Sequence, residues 1–328
     1  MIGAGKFGSL HAKAFFENLR SSLVAVVDTD ASRAKSVAGL YGSRPYTNLD
    51  EMLSKEKPDA VSIATPEGEH KVPVVMCAKA GVDIFLEKPL AMTMEDADEI
   101  EKACRKARIN IMLDFILRFD SRYSLASELA RSGRIGKVVC VYLSRIGTSG
   151  NAEFYGKRAD LLRSTTVHDI DYACWVMNSR VKRVYGESVS VAKHGKDFFA
   201  KDDGLYCTLK FGSGAIGSIH TSAMLPESAP AQISEYADII GTGGEITISK
   251  GNEISVLEGS RYSFPDTNLW PVISDRLFGA LRESIDCFLD CSQSKRTPPV
   301  GIKEGRRSLQ IALAVGESIR KSRPIEIT

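Results

Sequence analysis

The sequence predicts a doubly wound α/β domain with a parallel sheet over residues 1–115. An α+β domain with a large open, mainly antiparallel sheet is predicted to follow over residues 116–328. Three observations lead there. Up to Asp114, short continuous β-branched runs alternate with amphipathic stretches, the pattern of strands buried on both faces and covered by helices. A glycine cluster stands where a strand should turn into the first helix. Beyond Arg118 the alternation stops, and strand-like runs follow in series with helices set apart.

The chain opens MIGAGKFGSLHAKAFF, in which Gly3, Gly5 and Gly8 have G-x-G-x-x-G spacing. That spacing suits a tight turn whose backbone N–H groups, including those of Lys6 and Phe7, face a pyrophosphate. Only Met1 and Ile2 stand ahead of it, too few for a strand, so the first strand is expected to come from residues upstream of the given start. LVAVV (23–27), AVSIA (60–64), VDIFLE (82–87) and INIML (109–113) are the next strands, joined by right-handed crossovers. A helix over 120–132 leads through GRIGK into a strand beginning near Lys137, and a second helix covers 166–177. VKRVYGESVSV, GLYCTLKF, AIGSIHTSAM, QISEYADIIG, GEITIS and EISVL are the strands of the second domain, and helices over 274–291 and 304–321 close the chain. Apolar sets such as YADII on one sheet face suggest a surface covered by another subunit.

With 43% hydrophobic residues in 328, the chain can bury a sizeable core. Its net charge of +2 gives no ground for nucleic acid or an anionic membrane as partner. The seven cysteines, Cys77, Cys104, Cys140, Cys174, Cys207, Cys287 and Cys291, are scattered and form no C-x-x-C pair. They read as reduced thiols, which points to the cytoplasm, and no metal site is expected. No apolar run reaches the roughly 20 residues of a membrane span, and no signal peptide precedes Gly3.

The chemistry concentrates in three further places. The strand LVAVV ends in Asp28, twenty residues after Gly8, where a carboxylate accepts both hydroxyls of an adenosine ribose. A carboxylate there repels a 2′-phosphate and favours NAD over NADP, a preference that Arg33 softens. The stretch ATPEGEH, with Thr65, Pro66 and His70, follows the third strand, and Glu87-Lys88-Pro89 follows the fourth. Both lie at carboxyl ends of parallel strands, where ligands gather. The third place is RSTTVHDIDYACW (163–175), where Thr166 and Asp169 suggest a helix start that puts His168 in the first turn beside Asp171. The positive end of a helix disfavours imidazolium and would leave His168 able to accept a proton.

Taken together and in this order, GAGKFG, VVDTD, ATPEGEH, EKP and HDID resemble the Gfo/Idh/MocA family of NAD(P)-dependent sugar and polyol oxidoreductases. RFDSRY, SGRIGKVV, DIIGTGGEITIS and RPIEI extend the resemblance over the whole chain. It implies a Rossmann domain followed by an α+β domain whose open sheet makes dimers or tetramers. It implies a catalytic lysine at Lys88, an active-site histidine at His168, and cofactor contacts at Gly3, Gly5, Gly8, Asp28, Thr65, Pro66, His70 and Glu87. The Lys88–Pro89 peptide is expected to be cis on the same ground. Three places depart from the family pattern. Ser164 stands where many members carry Asp, Glu67 where Asn is common, and the first strand is missing.

The function these features predict is an NAD-dependent dehydrogenase, NADP being possible, for a secondary hydroxyl of a sugar, sugar derivative or cyclitol. His168 or Lys88 takes the hydroxyl proton, Lys88 stabilises the alkoxide, and Asp171 and Asp169 orient the histidine or the substrate. Arg118, Arg163 and Ser164 are the further candidates for substrate contact. The alternatives are a glycosidase that uses NAD as an internal redox relay and an NAD-binding sensor without turnover.

Overall fold

The computed structural model describes residues 1–149, 160–190, 203–249, 254–259 and 261–327; Val191 and Glu253, at the ends of two expected strands, lie outside them. The first elements are α1 (Lys6–Glu17), β1 (Ala25–Val27), α2 (Ala31–Leu40), β2 (Arg44–Tyr46), α3 (Leu49–Glu56), β3 (Ala60–Ile63), α4 (Lys71–Lys79), β4 (Asp83–Leu86), α5 (Met94–Ala107) and β5 (Ile111–Leu113). There follow α6 (Ser121–Arg131), β6 (Val138–Thr148), α7 (Val167–Met177), β7 (Val181–Val189), β8 (Gly204–Phe211), β9 (Ile216–Leu225), β10 (Ile233–Gly241) and β11 (Gly244–Ser249). The last are β12 (Val256–Glu258), β13 (Arg261–Ser263), β14 (Val272–Ile273), β15 (Arg276–Leu277), α8 (Ala280–Ser294), α9 (Ile302–Lys321) and β16 (Ile325–Glu326). They form two compact units, Met1–Phe119 with Thr267–Arg306 and Asp120–Asp266 with Arg307–Thr328.

In the first unit, β1 pairs with β2 and β3, β4 and β5 pair in series, all parallel. The start of the chain joins these two groups. Ile2 bridges Val27 on one side and Ile63 on the other, both in parallel sense. The Ile2 N–H donates to Ser62 O at 2.8 Å, the Gly3 N–H to Val27 O at 2.8 Å, and the Ala64 N–H to Ile2 O at 2.9 Å. The central position is thus held by single-residue bridges rather than by a strand. Beside Met1 lies a cavity of about 480 Å³ lined in part by Leu23, Val24, Ala25, Ala60 and Val61.

β1, β3, β4 and β5 lie within the runs read as strands from the sequence. β2 was not read as one, because Pro45 interrupts an exposed run; at a sheet edge the missing N–H costs no ladder bond. The core of this unit is aromatic where α8 covers it: Phe288 lies 5.5 Å from Phe85 and meets Phe15 edge-on at 6.5 Å. α8 begins at Ala280, not near 274 as its pattern suggested. Ser274 and Asp275, at φ 49° and 60°, instead make the tight turn between β14 and β15.

The second unit carries a seven-stranded sheet in the order β11-β10-β6-β9-β8-β7-β16. Only β6 and β9 run parallel; the other neighbours are antiparallel. Tyr123 of α6 and Tyr172 of α7 are buried in edge-to-face contact at 4.8 Å, and the Tyr172 hydroxyl donates to Tyr123 O at 3.1 Å. The expected capping pair at the start of α7 does not form. Thr166 is itself helical, its hydroxyl donates to Leu161 O at 3.1 Å, and a π-helical turn over Leu162–Thr166 runs straight into α7. A threonine hydroxyl that bonds the preceding turn no longer serves as a cap. His168 therefore stands inside a continuous helix, and the charge of a helix N-terminus, which fades within one turn, does not act on it.

The Phe288 ring is fully buried, and Phe288→Ala leaves a cavity between α8 and β4. The substitution should cost about 3–5 kcal/mol of stability in urea denaturation; a loss below about 1 kcal/mol would show that this packing is dispensable.

Candidate functional site

The glycine loop is built on close backbone approach. Gly3 has φ +89°, and a Cβ there would lie 2.6 Å from Ala64 O. A Cβ on Gly8 would lie 1.9 Å from Gly3 O, so the helix entry packs directly on the chain start. Gly5, the N-cap of α1, has no side-chain cap, and a Cβ on it would meet nothing within 4 Å. The helix entry therefore faces open space, and the N–H groups of the first turn form a cradle into which a pyrophosphate fits. Lys6 is exposed at this turn, and the Phe7 ring sits edge-on to Trp270 at 5.3 Å.

Asp28 secures the loop from the end of β1. Its Oδ2 accepts the Ala4 N–H at 2.7 Å, and its Oδ1 accepts the Asp30 N–H at 2.9 Å and Arg33 Nη2 at 3.0 Å. Capping of α2 falls to Asp30, which accepts from the Ser32 and Arg33 amides. Asp28 is thus held beside the glycine turn, and half-exposed Arg33 stands next to it.

At the carboxyl ends of β3 and β4, His70 ties two loops together. Its Nδ1 lies 2.8 Å from Pro89 O and its Nε2 3.2 Å from Thr65 O. Burial lowers its pKa, so the neutral ring donates through one nitrogen, and the shorter contact to Pro89 O takes that proton. Pro66 leads into a 3₁₀ turn over Glu67–Glu69, with Glu67 buried. The Lys88–Pro89 peptide is cis, as the resemblance implied. The Lys88 N–H donates to Glu87 Oε2 at 3.2 Å.

Sequence reasoning overlooked what stands behind Glu87. His11, fully buried on α1, places Nδ1 2.8 Å from Ser62 Oγ and Nε2 3.2 Å from Glu87 Oε1 and 3.9 Å from Asp114 Oδ2. Burial, with the charge of Glu87, pushes Asp114 up to about 7 against the pull of His11, Ser284 and Lys88. Burial also works to raise Glu87, but His11, Lys88 and His70 together hold it below its ordinary value. A signal was available: His11 follows Gly8 by three residues and so shares its buried helix face.

In the second unit, α7 carries His168, Asp169 and Asp171. Both oxygens of Asp169 are held by Arg145, Oδ2 from Nε at 3.0 Å and Oδ1 from Nη2 at 3.2 Å. Arg145 also pairs with Glu235, which receives Arg122 at 3.2 Å. Burial raises the Asp169 pKa despite Arg145. Arg145 was missed, although it continues the inward alternation Val141–Leu143–Arg145 of β6, where a charge signals a buried partner. Asp171, buried, lies 3.3 Å from Arg307 Nη2.

Arg163 turns its Nε to Asp160 Oδ2 at 3.0 Å, and Ser164, buried in the π turn, donates its N–H to Asp160 O at 2.9 Å. Arg118 Nη1 lies 3.5 Å from Pro299 O. The structure thus brings the predicted cofactor contacts together in the first unit and sets His168, Asp169 and Asp171 on one helix of the second. None of the seven cysteines is joined in a disulfide, and no helix among the described residues is long and apolar enough to cross a membrane.

A family model described as "Oxidoreductase family, NAD-binding Rossmann fold" matches residues 1–115, and its companion, the "C-terminal alpha/beta domain", matches residues 127–327. The chain is 25% identical to a scyllo-inositol 2-dehydrogenase (NAD(+)) of Bacillus subtilis (strain 168), covering all of this chain and 95% of that protein. It is 26% identical to an inositol 2-dehydrogenase of Rhizobium meliloti (strain 1021), over all of this chain and 98% of the relative. A crystal structure of a putative myo-inositol dehydrogenase from Sinorhizobium meliloti 1021 superposes with a TM-score of 0.86 at 25% identity, over 100% of this chain and 98% of that one.

Two outcomes follow from this geometry. Gly8→Ala drives a Cβ into the Gly3 carbonyl, so NAD binding, followed by fluorescence titration, should weaken by about 100-fold or more; retained affinity would refute the close approach. Asp114, held near 7 in the folded chain against about 3.9 unfolded, binds its proton more tightly when folded. Its stabilising contribution is full below about pH 4 and is lost as pH rises to about 7. Urea titrations across that range should show the wild type losing stability relative to Asp114→Asn as pH rises, whereas a constant difference would sink the assignment.

Proposed function

The chain belongs to the Gfo/Idh/MocA oxidoreductase family, and from that premise we propose that it oxidises a secondary hydroxyl of a cyclitol, sugar or sugar derivative with NAD, or reduces the matching ketone. The observation that carries this reading is Lys88. It follows β4 by two residues, in an E-K-P motif whose glutamate is tied through His11 to α1, the helix that opens at the glycine loop. Residues 1–115 would bind the cofactor and residues 116–328 the substrate. Two full-length relatives named for inositol make a ring polyol the first substrate class to try.

When bound, NAD supplies the hydride acceptor for the carbinol carbon. The Lys88 ammonium stabilises the alkoxide that develops as the hydroxyl proton leaves, a contribution commonly worth about 3–4 kcal/mol. His168 accepts that proton, or Lys88 does so directly. Asp171, paired with Arg307, orients the histidine, and Asp169, locked by Arg145, fixes the helix beneath it. Arg118, Arg163 and Ser164 complete the proposed substrate contacts. A second copy of the chain is the proposed cover for the outer sheet face, where Tyr206 and Ile216 are each more than half exposed.

Incubation of the protein and NAD with inositols, aldoses and nucleotide sugars should yield NADH in proportion to the substrate consumed. Lys88→Ala should slow turnover by about 100-fold or more. Sugar release without NADH would point instead to an internal redox relay, and a Lys88→Ala variant as active as the wild type would remove the mechanism.

A further inference from the structure

Four secondary-structure elements of the first unit converge on one imidazole. His11 comes from α1, Ser62 from β3, Glu87 from the end of β4 and Asp114 from the end of β5. His11, Ser62 and Asp114 are buried, and the Glu87 side chain is only 12% exposed. Two carboxylates face the same ring nitrogen, yet an imidazole N–H donates one hydrogen bond at a time along its axis. Asp114 Oδ1 is also buried without a hydrogen-bond partner in the structure. Two ionised carboxylates in such a place repel each other at low dielectric, and a protein relieves this by retaining a proton.

Resting on the dehydrogenase reading, we propose that His11 is a positioning residue for Lys88, holding Glu87 against the Lys88 amide, and that a proton retained on Asp114 keeps that hold intact. The contacts form a continuous chain from Ser62 Oγ through the His11 ring to Glu87 Oε1, and from Glu87 Oε2 to the Lys88 N–H. With Asp114 protonated, the Nε2–H belongs to Glu87 alone. With Asp114 ionised, a second acceptor competes for it and the chain slackens at Glu87, next to the lysine that meets the substrate. The groups facing the set are Ser62 and the Phe85 ring on His11, Ser284 of α8 and Lys88 on Asp114, and Lys88 and His70 on Glu87. The raised titration of Asp114 agrees with a retained proton near neutrality. A displacement of reacting groups by about 1 Å can cost 100-fold in rate, so a loosened Glu87 is enough to be felt in turnover.

The test compares the wild type with His11→Gln and Asp114→Asn by steady-state kinetics from about pH 6 to about pH 8.5, beside NAD affinity and thermal melting. Gln keeps a donor near the Nε2 position but changes its reach and direction. His11→Gln should lower kcat by about tenfold to 100-fold with NAD affinity within about threefold. Asp114→Asn should abolish an inflection near pH 7 in the wild-type kcat profile, since the amide stays neutral throughout. Wild-type kcat and profile in both variants would overturn the proposal, and so would losses of NAD affinity and melting temperature that account for the fall in rate.

If the wild type turns over no polyol, the dehydrogenase reading fails by itself, and infrared titration still judges the cluster. A buried protonated-carboxyl band that vanishes near pH 7 and is missing from Asp114→Asn supports the retained proton. Its absence from the wild type overturns it.

Discussion

The first unit depends on a contact that leaves no room for a side chain: the Gly3 carbonyl occupies the space that a Cβ on Gly8 would need. This approach sets α1 directly against the segment that bridges β1 and β3. From it follow the open turn at Gly5, the hold of Asp28 on the Ala4 amide, and the placement of His11 one helical turn further on, within reach of Ser62 and Glu87. A side chain at Gly8 would therefore disturb the open turn at Gly5 and the His11–Glu87 contact together, because both inherit their position from one backbone contact.

Charge is buried in both units, and in each it locks a chemistry-bearing segment. In the first, an imidazole between two carboxylates stands behind Lys88. In the second, the Arg145 guanidinium joins Asp169 of α7 to Glu235 of β10, with Arg122 and Asp120 continuing the network. Such sets are poor sources of net stability, since desolvation offsets most of the attraction. What they provide is direction. A bidentate guanidinium fixes the rotation of a helix more sharply than apolar packing does, and α7 is the helix that carries His168.

The π turn before α7 contains the residue at which the sequence departs from the family pattern. Ser164, where many members carry Asp, is buried in that turn, and its N–H bonds Asp160 O. The neighbouring carboxylate of Asp160 is taken up by Arg163. The wider turn also carries the helix through Thr166 without a cap, so His168 stands inside the helix rather than at its end.

The sequence by itself determined the order of layers, the glycine loop with Asp28, and the E-K-P segment, because these are written in period and spacing: two for strands, 3.6 for helices, and fixed offsets for turns. It also located His168, Asp169 and Asp171 on one helix. It could not reveal β2, whose proline and exposed positions carry no strand pattern, nor the start of α7, where the bond made by one threonine hydroxyl decided between cap and continuation. Only the tertiary structure brought His11 to Glu87 and Asp114, separated by 76 and roughly a hundred positions, or Arg145 to Glu235 across 90. Such pairings depend on which strands lie side by side, and a polar residue alone in a sequence does not name the partner that will lift the cost of burying it.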